Sequence, residues 1–185
     1  QVGPGRAIDT TRFRILAINW LGSDGNLDVA IDSADQADAI AATLDHLNIK
    51  KAYAFIGASY GAMVGLQFSA RHGARLEKLI AISGADSAHP YSSAWRALQR
   101  NIVRLNRESD NETAALSLAR QLAMLSYRTP EEFAARFDSP VQIENDIARS
   151  PAENYLEVCG NKYAAITNTT AFLRLSESID LHQVN

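Results

Sequence analysis

The sequence predicts an α/β fold, a parallel sheet that carries a helical insertion, and three observations lead there. Short apolar runs alternate with helix-periodic segments from Phe13 to Ser83. A Gly-x-Ser-x-Gly run, Gly57-Ala58-Ser59-Tyr60-Gly61, lies between an apolar run and the helical segment that follows it. Beyond Gly84 the apolar spacing is helical only, over about eighty residues.

Phe13 to Asn19 (FRILAIN) is a nearly continuous apolar run, the pattern of a strand buried on both faces of a parallel sheet. Gly22-Ser23-Asp24-Gly25-Asn26 then reads as a loop. Ala37, Ile40, Ala41, Leu44 and Leu47 recur at helical spacing, with Ser33 as the expected N-cap and Asn48 as the stop. Ala52 to Ile56 reads as a second strand. A helix is expected over Ala62 to His72, closed by Gly73. Leu79 to Ser83 reads as a third strand, and this element order implies right-handed crossovers between parallel strands. Helices are then expected over Trp95–Leu105, Glu112–Met124, Pro130–Phe137 and 154–174, with no strand among them. The domain reading is a core over residues 1–91, a helical lid over 92–174 and a return toward the core over 175–185.

Composition narrows the setting. The 185 residues suffice for one domain with a single core. Hydrophobic residues make up 46% and charged residues 21%, as in ordinary globular proteins. A formal net charge of -3 supplies no attraction for nucleic acid or an anionic membrane. No apolar run reaches the roughly 20 residues of a membrane span, and the opening residues carry no signal-peptide pattern. Cys159 is the sole cysteine, which rules out an internal disulfide and argues against a cysteine-based metal site. A cytoplasmic location is the expectation. The chain opens on Gln1 rather than Met and closes on Val184-Asn185, and is read as a piece of a longer protein.

The Gly-x-Ser-x-Gly run carries the chemistry. Between a strand and a helix it fits a nucleophile elbow, the sharp turn that projects a serine hydroxyl above the sheet of an α/β-hydrolase fold. Ser59 is then the nucleophile and the Tyr60 N–H an oxyanion donor, helped by the following helix N-terminus. Gly57 and Gly61 are expected to remove side chains that would strike backbone in the turn. A serine needs a base, and the order on this fold is Ser, then Asp or Glu, then His. His46 and His72 sit at helix ends and read as solvated, and His89, in Ser87-Ala88-His89-Pro90, reads as structural. Asp180 and His182 are too close in sequence to come from separate loops. The triad acid and base, and the second oxyanion donor, are therefore expected outside this chain. An incidental serine in a glycine-rich turn is the competing reading.

Several stretches together resemble the homoserine O-acetyltransferase family of α/β-hydrolase-fold enzymes. Gly3-Pro4-Gly5-Arg6-Ala7-Ile8-Asp9-Thr10 with Arg12-Phe13 is similar to that family's segment before a core strand. Phe55 to Met63 is similar to its nucleophile region, although the family usually has Met-Gly-Gly where this chain has Tyr60-Gly61-Ala62. Ala94-Trp95-Arg96-Ala97-Leu98-Gln99-Arg100 resembles the first lid helix, and Leu118 to Arg128 a lid stretch near the substrate. The likeness runs from Gly3 to the Ser176–Asp180 region, and is strongest to the succinyl-using branch, the serine and homoserine O-succinyltransferases.

The resemblance implies ping-pong acyl transfer, from acyl-CoA to Ser59 and then to the hydroxyl of serine or homoserine, in cysteine or methionine biosynthesis. Acyl-CoA, as succinyl-CoA or acetyl-CoA, is a co-substrate; no bound cofactor and no metal are implied. The family's lid arginine and tyrosine carry over to Arg120 and Tyr127 as binders of the amino acid, their spacing of seven placing both on one helical face if the helix continues that far. A solvated helix arginine is the other reading of Arg120. Arg96 is the candidate acyl-specificity residue, a partner for a succinyl carboxylate, or else a surface arginine. A homodimer through the lid helices is implied. A serine esterase of the same fold is the alternative function, because the elbow does not separate the two. A catalytically dead fold used for binding is a third, which the intact elbow opposes.

Overall fold

The computed structural model describes residues 1–106 and 111–184. The elements run α1 Ser33–His46, β1 Ala52–Ala58, α2 Tyr60–His72, a 3-10 turn Gly73–Arg75, β2 Leu76–Ile82, α3 Pro90–Leu105, α4 Glu112–Leu125, α5 Pro130–Phe137, β3 Gln142–Glu144, β4 Ile147–Arg149, α6 Pro151–Ala164 and α7 Thr169–Asp180. The expected helical span crosses residues 107–110, which lie outside the described residues.

β1 and β2 pair in parallel, with Phe55 opposite Leu79 and Ile56 opposite Ile80. The pleat sends Phe55 and Leu79 toward α1 and α2, where they meet a core of Ala37, Ile40, Ala41, Leu44, Val64, Phe68 and Leu76. Ile56 and Ile80 point the other way and are exposed. One face of this sheet is thus covered by described residues, where burial on both faces was expected.

The first expected strand corrects the sequence reading. Phe13 to Asn19 has no ladder partner among the described residues, and Phe13, Ile15, Leu16 and Ile18 are exposed. An apolar run becomes a strand only when a neighbour takes its N–H and C=O groups. The Phe13 ring stacks on Tyr53 of β1, 5.3 Å apart.

Smaller corrections are local chemistry. Asp32, not Ser33, caps α1: its Oδ1 accepts from the Ala34 and Asp35 N–H groups at 2.7 and 2.8 Å, and Asp35 Oδ2 accepts from the Asp32 N–H at 2.9 Å. Asn48 stops that helix in a left-handed conformation, φ 55°. Gly73 keeps right-handed angles and opens the 3-10 turn instead of acting as a left-handed cap. Within the helical layer an unexpected hairpin pairs β3 with β4. Its turn, Asn145-Asp146, takes φ 52° and 62°, the left-handed pair that a two-residue hairpin needs and that Asn and Asp tolerate. The last expected helix is two, α6 and α7, parted at Ile166–Asn168 where Asn168 caps the second. α7 runs unbroken through the expected boundary between residues 174 and 175.

α3, α4, α6 and α7 enclose a second core of Val103, Leu116, Ala119, Ala164 and Leu173. This layer meets the sheet where β1 and β2 end. Tyr60, just past β1, hydrogen-bonds to Ser178 on α7, and Ala85 and Asp86, just past β2, bond to His182 and Val184 just past α7. The strand carboxyl ends therefore face the helical layer, the place where open α/β sheets bind ligands.

Candidate active site

The elbow is built by backbone before any side chain acts. β1 ends at Ala58 and α2 starts at Tyr60, leaving Ser59 alone to make the turn, at φ 53° and ψ -120°. A non-glycine residue there is strained, and three bonds hold it. The Ser59 N–H donates to the Ile82 carbonyl at 2.9 Å, and the Ser59 carbonyl accepts from the Ala62 and Met63 N–H groups at 2.9 and 3.2 Å. Gly57 is required: a Cβ there would lie 2.1 Å from the Gly61 carbonyl oxygen. Gly61 is not required on the same ground, since a Cβ there would meet only the Trp20 ring at 3.8 Å, an ordinary contact. The expectation that both glycines relieve a collision holds for Gly57 alone.

Ser59 is exposed, and among the described residues no side chain hydrogen-bonds to its hydroxyl. His72 Nε2 pairs with Asp38 Oδ1 at 2.7 Å, and His89 Nδ1 accepts from the Tyr91 N–H at 3.2 Å as the cap of α3. His182 is 2% exposed and uses both ring nitrogens, Nδ1 with the Ser33 hydroxyl at 2.6 Å and Nε2 with the Ala85 carbonyl at 2.9 Å. The carbonyl can only accept, so Nε2 carries the proton and Nδ1 accepts from Ser33. Burial lowers the pKa of His182, against the opposing pull of the Ala85 carbonyl, and the ring is a neutral clasp. Among the described residues, no group of three or more His, Cys, Asp or Glu side chains is placed to hold a metal ion.

Beside the elbow lies a cavity of about 350 Å³, whose walls include Trp20, Tyr60, Arg96, Arg120, Tyr127 and Tyr163. Ser59 does not line it; its neighbour Tyr60 does. The Tyr60 ring meets Trp20 edge-on at 5.2 Å, and burial pushes its phenol up to about 12, so the hydroxyl stays neutral in its bond to Ser178.

Arg120 and Tyr127 come together, but not on one helical face. α4 ends at Leu125, and Tyr127 follows in the turn, folding back so that the Arg120 guanidinium lies 5.3 Å from its ring. Tyr163 on α6 covers it at 4.9 Å. Burial raises the Tyr163 phenol and keeps it neutral. Two rings hold the cation and no carboxylate pairs with it among the described residues, so its N–H donors remain open for an anion.

Arg96 is no solvated surface residue: its side chain is 19% exposed and turned into the same cavity. It is already ion-paired, with Nε and Nη2 each 2.6 Å from Asp180 Oδ1 and Nη2 3.2 Å from Ser93 Oγ. Arg100 takes the other oxygen of Asp180 at 2.6 Å. Burial acts to raise the pKa of Asp180, but hydrogen bonds from Ser93, Arg100 and Arg96 outweigh it and hold the carboxyl below its usual range.

Sequence reasoning missed Tyr163 in this wall, and Ser178, Asp180 and Arg100 behind it as the partners that hold Tyr60 and Arg96. Only Arg100 left a signal, four residues after Arg96 and so on the same face of α3. Tyr163 and Ser178 reach the site through the packing of α6 and α7, which no local pattern announces.

A family model described as the alpha/beta hydrolase fold matches residues 5–174. The chain is 58% identical over 184 residues to a homoserine O-succinyltransferase of Xanthomonas campestris pv. campestris, covering 100% of this chain and 50% of the relative. It is 31% identical to a homoserine O-acetyltransferase of Thermus thermophilus, over 99% of this chain and 51% of the relative. A serine O-succinyltransferase of Schizosaccharomyces pombe is 31% identical, over 100% of this chain and 42% of the relative. The chain thus spans about half the length of the curated relatives it matches. Among solved structures, esterase E22 aligns with a TM-score of 0.85 at 21% identity, over 100% of this chain and 61% of that one. A homoserine O-acetyltransferase from Bacillus anthracis aligns at 0.80 and 14%, over 98% of this chain and 58% of that one. At those identities the structural likeness speaks for the fold.

Proposed function

The chain belongs to the α/β-hydrolase fold family, and on that premise we propose that the protein is an acyl-CoA-dependent O-acyltransferase acting on serine or homoserine. Ser59 Oγ attacks the thioester carbonyl, the carbon–sulfur bond breaks, and CoA leaves as the thiol. The acceptor hydroxyl then attacks the Ser59 ester, the bond to Oγ breaks, and Ser59 regains its proton through a general base. The Tyr60 N–H, at the start of α2, stabilises the oxyanion in both halves. Arg120 takes the amino-acid carboxylate between the Tyr127 and Tyr163 rings, and Arg96 faces the acyl group. The biosynthetic role in cysteine or methionine formation, the cytoplasmic setting and a homodimer through the helical layer belong to the same reading. No helix of the described residues is long and apolar enough to cross a membrane.

The observation that carries the proposal is Arg120, a guanidinium with no carboxylate partner among the described residues, in the wall of a cavity next to a strained serine. An esterase of the same fold needs the elbow but has no use for that cation; an amino-acid acceptor does. Incubation of the full-length protein with acyl-CoA should give a mass adduct on Ser59, and serine or homoserine should discharge it as the O-acyl amino acid. Ser59→Ala should abolish the adduct. An adduct discharged by water at the same rate, with or without the amino acid, supports the esterase instead.

A further inference from the structure

Of the N–H groups that open α2, those of Ala62 and Met63 are spent on the Ser59 carbonyl. Ser59 offers no side-chain cap, and among the described residues the N–H groups of Tyr60 and Gly61 make no hydrogen bond. A side-chain cap is the usual restraint on such a helix end. Here the restraint comes from the side chain of Tyr60 itself. Its hydroxyl bonds to that of Ser178 on α7, a fully buried residue. Its ring meets Trp20 edge-on at 5.2 Å. Trp20 is held through its neighbour Leu21, whose N–H donates to Gln36 Oε1 at 2.9 Å and whose carbonyl accepts from Gln36 Nε2 at 3.0 Å. Gln36 is buried. Two anchored parts of the chain, both distant in sequence, therefore grip the first residue of α2.

We infer that the Tyr60 side chain and Ser178 position the oxyanion donor: the bond between their hydroxyls, together with the Trp20 contact, fixes where the Tyr60 N–H points. The inference rests on the acyltransferase reading and adds to it the groups that aim its oxyanion donor. The main-chain bonds of the elbow hold Ser59 and the residues after Tyr60, and none of them holds the Tyr60 N–H. A donor stabilises an oxyanion only within about 2.7–3.1 Å of where that oxygen forms. A misplacement of about 1 Å can cost on the order of a hundredfold in rate. The phenol and the N–H share one Cα, so a shift at the hydroxyl is passed to the first turn of α2. Ser178 does not line the cavity and touches no substrate there; it is a positioning residue that acts through Tyr60.

The test follows acylation of Ser59 in the full-length protein as a mass adduct in single turnovers, with acetyl-CoA and with succinyl-CoA as donor. The first-order rate constant does not depend on how much of the protein is folded. Ser178→Ala and Tyr60→Phe should each lower it by about tenfold, with little change in the half-saturating donor concentration. Each single variant strands one buried hydroxyl and should lose stability, whereas the double variant removes both and should regain most of it. Its acylation should be no faster than that of either single variant, and no slower, because all three lack the same bond. Single variants that acylate at the parent rate, or a rate that recovers with stability in the double variant, would show the bond to be structural and overturn the inference while leaving the acyltransferase intact. A double variant slowed by the product of the single effects would show that the two hydroxyls act separately, and would overturn it too. A parent protein that forms no adduct from either donor would instead overturn the reading beneath it.

Discussion

The elbow and the helical layer are held by different physics. From Ser33 to Ile82 the structure rests on aliphatic packing and backbone geometry: Val64 and Phe68 are at most 1% exposed, and the strained Ser59 is fixed by main-chain bonds. From Pro90 to Asp180 a smaller apolar core is supplemented by arginines laid over rings, Arg120 on Tyr127 and Tyr163, Arg128 and Arg136 on Tyr155, and by ion pairs between α3 and α7. Aliphatic packing tolerates little displacement, which suits an attacking oxygen. Cations on aromatic faces hold position while keeping N–H donors free, which suits reading a substrate. The first region sets where the chemistry happens and the second sets what enters.

The largest effect expected from this contrast is at Gly57. A Cβ there strikes backbone, at 2.1 Å from the Gly61 oxygen and 2.7 Å from the Ala62 nitrogen, and no rotamer relieves it. Gly57→Ala should cost on the order of 3 kcal/mol in denaturant titrations and remove the Ser59 acyl adduct. Gly61→Ala, four residues on, should cost less than about 1 kcal/mol, because its Cβ meets only a ring at 3.8 Å and alanine favours the helix. Equal losses at the two positions would break the claim that the elbow is set by backbone contact.

The two regions also differ in how far the sequence could be read. The elbow was legible because its determinants are adjacent: Gly57, Ser59 and Tyr60 lie within four residues, and the strand and helix that flank them show their own periodicity. Pro130–Phe137 was legible to the residue, since Pro130 follows the Thr129 cap. What escaped depends on partners distant in sequence. The run Phe13–Asn19 has a strand's composition, yet pairing is a property of its neighbour. Tyr163 covers Arg120 from another helix, and His182 reaches Ser33 across the whole chain. The hairpin at Asn145-Asp146 did carry a local signal, two adjacent residues that tolerate left-handed angles, in the stretch between the helices expected over Pro130–Phe137 and 154–174.

A medium effect is expected at Arg120, and it tests the second half of the contrast. Arg120→Met keeps the apolar stem between the Tyr127 and Tyr163 rings and removes the charge. Stability should fall by only about 1 kcal/mol, the scale of partly exposed cation–π contacts. Losing a charge-assisted carboxylate bond of about 1.5–3 kcal/mol should lower kcat/KM for the amino-acid acceptor by roughly tenfold to a hundredfold. Formation of the acyl-enzyme, which precedes the acceptor, should proceed at close to the parent rate. A stability loss as large as that of Gly57→Ala would mean that Arg120 holds the layer together, and the division between the two regions would blur.

The smallest effect lies at the seam. His182 joins the regions as a buried neutral ring, accepting from Ser33 at the start of α1 and donating to Ala85 after β2. Its pKa in the folded protein is below the ordinary 6.5, chiefly through burial. The unfolded chain therefore binds more protons in the window between the two values, and stability must fall with falling pH there. The contribution is fully present above pH 6.5 and is lost as the pH drops through the window toward the folded pKa. Protonation would also turn Nδ1 into a donor and leave the Ser33 hydroxyl without its acceptor. Denaturant titrations at pH 7.5 and 5.5 should thus differ by on the order of 1 kcal/mol beyond the change seen in His182→Asn, whose amide oxygen can still accept from Ser33 but cannot titrate. If parent and variant lose stability in parallel, the seam does not respond to pH, and the two regions are joined by packing alone.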